Sequence, residues 1–327
     1  ARRPRTGWRA AAGRSPRGPV NPAAGRSGGE SAAAPVALSG IERLEPGGLV
    51  GVVVNPGAGE GGELDLPEHV VRRELGEGDD LLELLHGLVE RGCAVLGSVG
   101  GDGSTGAAAG VAVAEGRVLW APPGSTLNHF ARTLGLPDIE AAVAALDAGN
   151  VARVDVGDVD GTTFVNNASI GLYGEMVRRR ESLQRRRGVG KRPALLVAAA
   201  RTLRRAEPIA VDVDGRPLRA YLLFVGNNRY GGELAMGERD DLQAGVLDVV
   251  VLCAHGRLPR AGIVWDIALG RLTRSSRLRR WSTTEVAVCV GEPTALAHDG
   301  EAHDIGVGTV TFRSRPGALR VIVPEPA

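Results

Sequence analysis

The sequence predicts an α/β domain followed by a β-rich domain, and three observations carry that reading. Between Leu49 and Ala121 short apolar runs alternate with a helical pattern, the rhythm of a parallel sheet with crossover helices. From about Arg153 short alternating runs separated by Gly, Asp and Asn turns take over, the rhythm of an antiparallel sheet. Aromatics make up only 3% of the 327 residues while Gly contributes 48, which suits Val-, Ala- and Leu-rich strands joined by tight turns.

Residues 1–48 are expected to form a disordered tail, because they are built of Arg, Ala, Pro, Gly and Ser with almost no hydrophobic periodicity. Seven Arg and no acid lie between Arg2 and Arg26, as in some targeting peptides, but no apolar core like that of a secretory signal follows. The chain begins with Ala1, the start expected of a piece of a longer protein.

An α/β nucleotide-binding domain is expected over residues 49–152. Leu49 to Val54 reads as a buried strand and His69 to Leu75 as a weaker one. Asp79 to Arg91 reads as an amphipathic helix opened by an acid and stopped by Gly92. Cys93 to Val99 is the next strand, Gly106 to Val113 a small-residue helix, and Val118 to Ala121 another strand. Residues 153–327 are expected to form the β-rich domain, with the last residues packing back on the first. Cys93, Cys253 and Cys289 are odd in number and each sits in an apolar run, so buried thiols of a reducing compartment are expected rather than a disulfide framework. No stretch approaches the roughly 18 apolar residues of a membrane span.

The loops at the carboxyl ends of the parallel strands are where an open sheet binds its ligand. Two stand out. "NPGAGEGG" at Asn55 to Gly62 follows the strand "LVGVVV", whereas the near-repeat "NPAAGRSGG" at Asn21 to Gly29 follows no strand and reads as a chance match. "GGDGST" at Gly100 to Thr105 follows the Cys93 strand; its glycines allow close approach of backbone amides to phosphate, and the helix after it offers a positive dipole end. Asp102 inside that loop would repel bare phosphate, so it calls for a nearby cation or for a hydroxyl that must lose its proton.

The net charge of +1 conceals two basic segments. Residues 178–205 carry eleven Lys and Arg against Glu181, and residues 256–281 carry seven Arg against Asp266. Both read as basic amphipathic helices able to rest on an anionic membrane surface. Nucleic acid is not expected as a partner, since stacking aromatics are missing from the first segment.

"NPGAG", "GGDGST", "APPGSTLNHFARTLGLP" at Ala121 to Pro137, "NNASIGLYGEMV" at Asn166 to Val177 and "DGE" at Asp299 to Glu301 together resemble the diacylglycerol kinase catalytic-domain family of bacterial lipid kinases and sphingosine kinases. The resemblance runs from about Leu49 to Pro324. It implies the two-domain fold shared by NAD kinases and diacylglycerol kinases, with the site in the cleft, and transfer of the γ-phosphate of ATP, with Mg²⁺, to a hydroxyl of diacylglycerol or a related lipid. It also implies a role in phospholipid metabolism by a cytoplasmic protein peripheral at the inner membrane face.

Residue by residue, the resemblance implies that Asn55, Pro56, Gly57 and Gly59 line the first phosphate loop and that Gly100, Gly101, Gly103, Ser104 and Thr105 form the second. Gly124, Ser125, Thr126 and Asn128 would close the nucleotide pocket. A lipid alcohol must lose its proton as it attacks phosphorus; the resemblance implies Glu301 as the base, assisted by Asp299, with Asp102 as the rival. "HDGE" alone also fits a hairpin turn. The sequence departs from the family in three places. The stretch between Gly59 and His69 is short for a helix, "GAAAG" stands where Asn-Glu is usual, and Ala244-Gly245 stands where a structural Mg²⁺ site has an acid, leaving Asp241 as a weaker contributor. The alternatives are a catalytically weak lipid- or nucleotide-binding module and a kinase of a soluble substrate like the NAD kinases. "GGDGS" also resembles the phosphofructokinase loop, but the Thr-Ile-Asp-Asn-Asp pattern of those enzymes is missing.

Overall fold

A computed structural model of the chain describes residues 36–45, 47–56, 66–67, 69–125, 128–171, 206–231, 239–255, 259–268 and 274–325. The expected tail lies outside them up to residue 35. Its last part does not behave as a tail: Val36, Leu38, Ile41 and Leu44 pack against the first core, and β1 (Glu42–Arg43) pairs antiparallel with Asn150–Val151. Four apolar side chains with a surface to cover suffice to anchor a short segment that shows no periodicity.

β2 (Leu49–Val54), β3 (Val70–Glu74), β4 (Cys93–Val99) and β5 (Val118–Trp120) form a parallel sheet in the order β3-β2-β4-β5. β2 from Val50 on and nearly all of β4 are buried, which is why they read as unbroken apolar runs rather than alternations. α1 (Leu81–Glu90) buries Leu85 and Leu88; the Asp80 carboxylate accepts from the Leu82 N–H at 2.8 Å to cap it. α2 spans Asp102–Ala114, so the expected loop ends at Gly101 and the helix begins four residues before Gly106. α3 (His129–Thr133) is short, and α4 (Ile139–Ala148), opened by the Asp138 carboxylate and closed by Gly149 at φ 65°, is an element the sequence reading passes over.

The second half is built from β6 (Asn150–Val159), β7 (Thr162–Phe164), β8 (Asn167–Gly171), β9 (Ile209–Val213), β10 (Arg216–Asn227), β11 (Leu247–Cys253), β12 (Leu278–Thr283), β13 (Glu285–Val290), β14 (Thr294–His298), β15 (Glu301–Ile305) and β16 (Gly308–Val323). Its pairings are antiparallel, as the alternating runs predict. Together these elements give the α/β half followed by the β-rich half that the sequence predicts.

β16 serves both halves. Its first part pairs with β13 around a core containing Val159, Phe164 and Phe312; its last part pairs parallel with β5 and contributes Leu319, Val321 and Ile322 to the other core. β6 follows it antiparallel along both parts, with an irregularity between Arg315 and Leu319. The buried Asp155 carboxylate sits at that irregularity, accepting from the N–H of Gly317 at 2.8 Å and of Gly245 at 2.6 Å.

The basic segment 178–205 lies outside the described residues. The second one is not a single helix. α5 covers only Pro259–Ala268, after which Leu278–Trp281 belongs to β12. Arg277 pairs with Asp266 at 2.9 Å, and Arg280 pairs with the buried Asp248 at 2.5 Å. Alternation in "LRRWST" beside β11 outweighs helical charge spacing, and two of the seven Arg are neutralised within the protein. All three cysteines are free, and Cys93 and Cys253 are buried as expected. Cys289 is exposed because β13 turns that residue outward between buried Val288 and Val290.

Candidate active site

The carboxyl ends of β2, β4 and β5 bring the predicted loops together. Asn55 leaves β2 with its N–H donating to the Val99 carbonyl at 2.9 Å, and Gly100 bridges to Pro123 beyond β5. Gly101, the N-cap of α2, is followed by a first turn that no side chain caps, so amides there remain available to an anion. Gly124 lies on the Gly100 backbone: a Cβ on it would stand 2.4 Å from the Gly100 nitrogen. Glycine is required there by close approach. The Asn128 amide oxygen accepts from the N–H groups of Gly124 and Ser125 and from the Ser125 hydroxyl, and its amide nitrogen donates to the Ser125 carbonyl. Those contacts tie Asn128 to Gly124 and Ser125. Thr105 bonds back to the Gly101 carbonyl, and Ser104 packs against Gly100. Pro56 is exposed at the end of β2; Gly57, Gly59 and Thr126 fall outside the described residues.

The "DGE" acids approach the same turn from the other half of the molecule. Asp299 and Gly300, at φ 45° and 94°, are the two central residues of the β14–β15 hairpin, so "HDGE" forms the expected turn, and that turn lies beside the Gly100 loop. The hairpin presses on α2 at two glycines one turn apart. A Cβ on Gly103 would lie 2.9 Å from Glu301 Oε1, and a Cβ on Gly106 would lie 2.6 Å from Asp299 Oδ2. Gly103, read from sequence as a phosphate-facing glycine, thus also makes room for an acid.

The acids differ in surroundings. Asp299 is 3% exposed and accepts from the N–H groups of Val165 at 2.7 Å, Asn166 at 2.7 Å and Asn167 at 3.2 Å. Burial pushes its carboxyl up to about 7, with the nearby Asp102 charge acting in the same direction, while those N–H donors pull it down. Glu301 is exposed. Asp102, half-buried, accepts from Asn166 Nδ2 at 3.3 Å. Beside them the Tyr230 hydroxyl donates to the Asn166 carbonyl at 2.9 Å and is itself pushed up to about 12, by burial first. Next to Asp299, His298 is held below its usual value by burial and by His303.

Sequence reasoning missed Gly106, Asn166, Tyr230 and Arg239. "NNASIGLYGEMV" marks the region of Asn166, but only the folded sheet shows that its amides meet Asp299. Asp241 is exposed and its carboxylate accepts from the Gln243 N–H at 2.6 Å, a local turn bond. Among the described residues no group of three acid, His or Cys side chains could hold a metal ion. Beside Ala244, Gly245 gives its N–H to Asp155. Among the described residues, those around Ala244 therefore do not fit a resident structural Mg²⁺.

Residues 50–159 match the model of the diacylglycerol kinase catalytic domain, and residues 167–323 match that of the YegS C-terminal NAD kinase beta sandwich-like domain. A Pseudomonas fluorescens protein named "Probable lipid kinase YegS-like" is 29% identical over 210 residues, covering 62% of this chain and 68% of the relative. A Pseudomonas aeruginosa protein of the same name is 29% identical over 255 residues, covering 76% and 82%. The crystal structure of a diacylglycerol kinase from Bacillus anthracis str. Sterne superposes with a TM-score of 0.59 at 20% identity, covering 84% of this chain and 97% of that one, a likeness of fold.

Proposed function

Because the chain belongs to the diacylglycerol kinase catalytic-domain family and is a phosphotransferase with an alcohol group as acceptor, we propose that it moves the γ-phosphoryl group of ATP to a hydroxyl of diacylglycerol or a related lipid. One observation supports this above the others: the "DGE" acids rest on the first two turns, Glu301 at Gly103 and Asp299 at Gly106, of a helix whose N-terminal amides no side chain caps.

Phosphoryl transfer needs positioning, compensation of charge on the phosphate oxygens, and a group to take the alcohol proton. The amides at the start of α2, Gly101 to Gly103, offer donors to the phosphates. Glu301, exposed and against Gly103, is the group we assign to the proton; Asp299, buried and fixed by its backbone donors, holds the turn that aims Glu301. Any Mg²⁺ would arrive with the nucleotide as part of the substrate.

No helix among the described residues is long and apolar enough to cross a membrane. We place the protein at the inner, cytoplasmic face, held through the basic segment 178–205. Incubation with labelled ATP and a panel of diacylglycerol, sphingoid base, phosphatidylglycerol and phosphatidylinositol tests the reading. A labelled lipid is expected; label passing only to water, NAD or fructose 6-phosphate would overturn it.

A further inference from the structure

Arg239 is 4% exposed, and among the described residues its guanidinium pairs with no carboxylate. A buried cation is costly, so its neighbours matter. It lies against the Phe130 and Tyr230 rings, at 5.6 and 5.5 Å. Among the described residues its hydrogen bonds end on one short segment: Nη1 donates to the Val165 carbonyl at 2.6 Å and Nη2 to Asn166 Oδ1 at 2.8 Å.

That segment serves both the buried Asp299 and the half-buried Asp102. The peptide whose carbonyl takes the Arg239 bond presents its N–H, that of Asn166, to Asp299 Oδ1. A charge-assisted bond to the carbonyl polarises the peptide and makes its N–H a stronger donor. The Asn166 side chain whose oxygen Arg239 holds gives its nitrogen to Asp102. The following peptide repeats the pattern: the Asn166 carbonyl accepts from the Tyr230 hydroxyl and the Asn227 N–H, and the Asn167 N–H goes to Asp299.

We infer that Arg239 is a positioning residue: through the Val165–Asn166 peptide and the Asn166 amide it holds Asp299 and Asp102 in their working arrangement without touching either. The catalytic part of this inference rests on the lipid kinase reading; the arrangement itself does not. The charged and titratable groups around Asp299 are Asp102 on α2, His298 on β14, Glu301 and His303 on β15, Tyr230 after β10, and Arg239.

The test follows the Asp299 side-chain carboxyl by carbon-13 NMR across pH in aspartate-labelled protein, assigned with Asp299→Asn, in wild type, Arg239→Met and Arg239→Lys. Loss of the cation weakens the donors to the carboxylate, so its titration midpoint should rise by about half a unit or more in Arg239→Met. Turnover should fall by roughly tenfold to a hundredfold with its acid limb displaced the same way and the nucleotide KM little changed. Arg239→Lys, keeping the charge without the fork, should show a smaller shift in the same direction. An unmoved midpoint in the Met variant overturns the inference, whatever happens to turnover. If the Met variant does not unfold cooperatively, the Lys variant decides, and a wild-type midpoint there overturns it. A wild type that phosphorylates no lipid defeats the proposed function alone, since the carboxyl titration still reads the arrangement.

Discussion

Two turns face each other across the site, and they are built on opposite principles. The start of α2 leaves its amides unspent, with Gly101 offering no side-chain cap, whereas the Asp299–Gly300 turn spends its carboxylate on three backbone N–H groups. One turn keeps donors that a ligand could take, and the other spends its acceptor on rigidity. The difference separates two acids that adjoin in sequence: Asp299 is locked within the protein while Glu301, two residues on, reaches the open side. Proximity to a motif therefore says little about a residue's role; what its hydrogen bonds are already doing says more.

Exchanging the roles of the acids is the strongest way to break this comparison. Glu301→Gln should lower turnover by roughly 10² to 10⁴ with nucleotide affinity near normal. Asp299→Asn brings an NH₂ group among N–H donors and should lower stability by about 1–3 kcal/mol. Single-turnover rates and denaturant unfolding separate them. A collapse of turnover in Asp299→Asn at unchanged stability, with Glu301→Gln mild, would reverse the assignment; collapse only in Asp102→Asn at normal nucleotide affinity would move the base to Asp102.

The contact between the turns gives the next effect. Gly106→Ala places a Cβ 2.6 Å from Asp299 Oδ2, so the hairpin must shift, and a displacement near 1 Å should cost about 10² in turnover. Retained turnover would show that the hairpin is not held on α2 during reaction.

The proposed role of the uncapped turn is tested at two glycines with different surroundings. Gly124→Ala collides with the Gly100 nitrogen and should raise the nucleotide KM about tenfold or more and lower stability together. Gly101→Ala meets only Ser125 Oγ, at 3.8 Å, so stability should hold, and a raised KM there reports a ligand close to the backbone. Equal nucleotide affinity in Gly101→Ala and wild type would remove the phosphate from that turn.

The smallest expected effect is a slope. Asp299 is raised from 3.8 to about 7 in the folded protein, so between those values the native state holds a proton that the unfolded chain releases. Its contribution is complete below about pH 4 and is lost as pH rises toward 7. Thermal midpoints measured over that interval should decline less in Asp299→Asn than in wild type; parallel curves would mean that the carboxyl is ionised throughout.

Much of the first half was legible because its signals are local. "DDLLELLHGLVER" carries its cap, its stripe and its stop, and "CAVLGSV" is an apolar run of strand length. α2 defeated the reading at its start because "DGST" scores as a turn until a sheet and a hairpin pack upon it. The acids were legible by type. The partners of those acids were not: Asp102, Asn166, Tyr230, Arg239 and Asp299 meet only through the pairing of β8 with β10 and β14, and no spacing along the chain encodes that meeting.

The path of β16 bears on how the protein comes off the ribosome. Val118 and Leu119 of β5 find their outer neighbours in Arg320 and Val321, which are translated some two hundred residues later. Until then the first sheet carries an open parallel edge ending in Trp120, a fully buried side chain in the finished fold. Nascent chains must keep that edge from other strands for most of synthesis, so premature termination anywhere before Val321 leaves an aggregation-prone remnant rather than a smaller working domain.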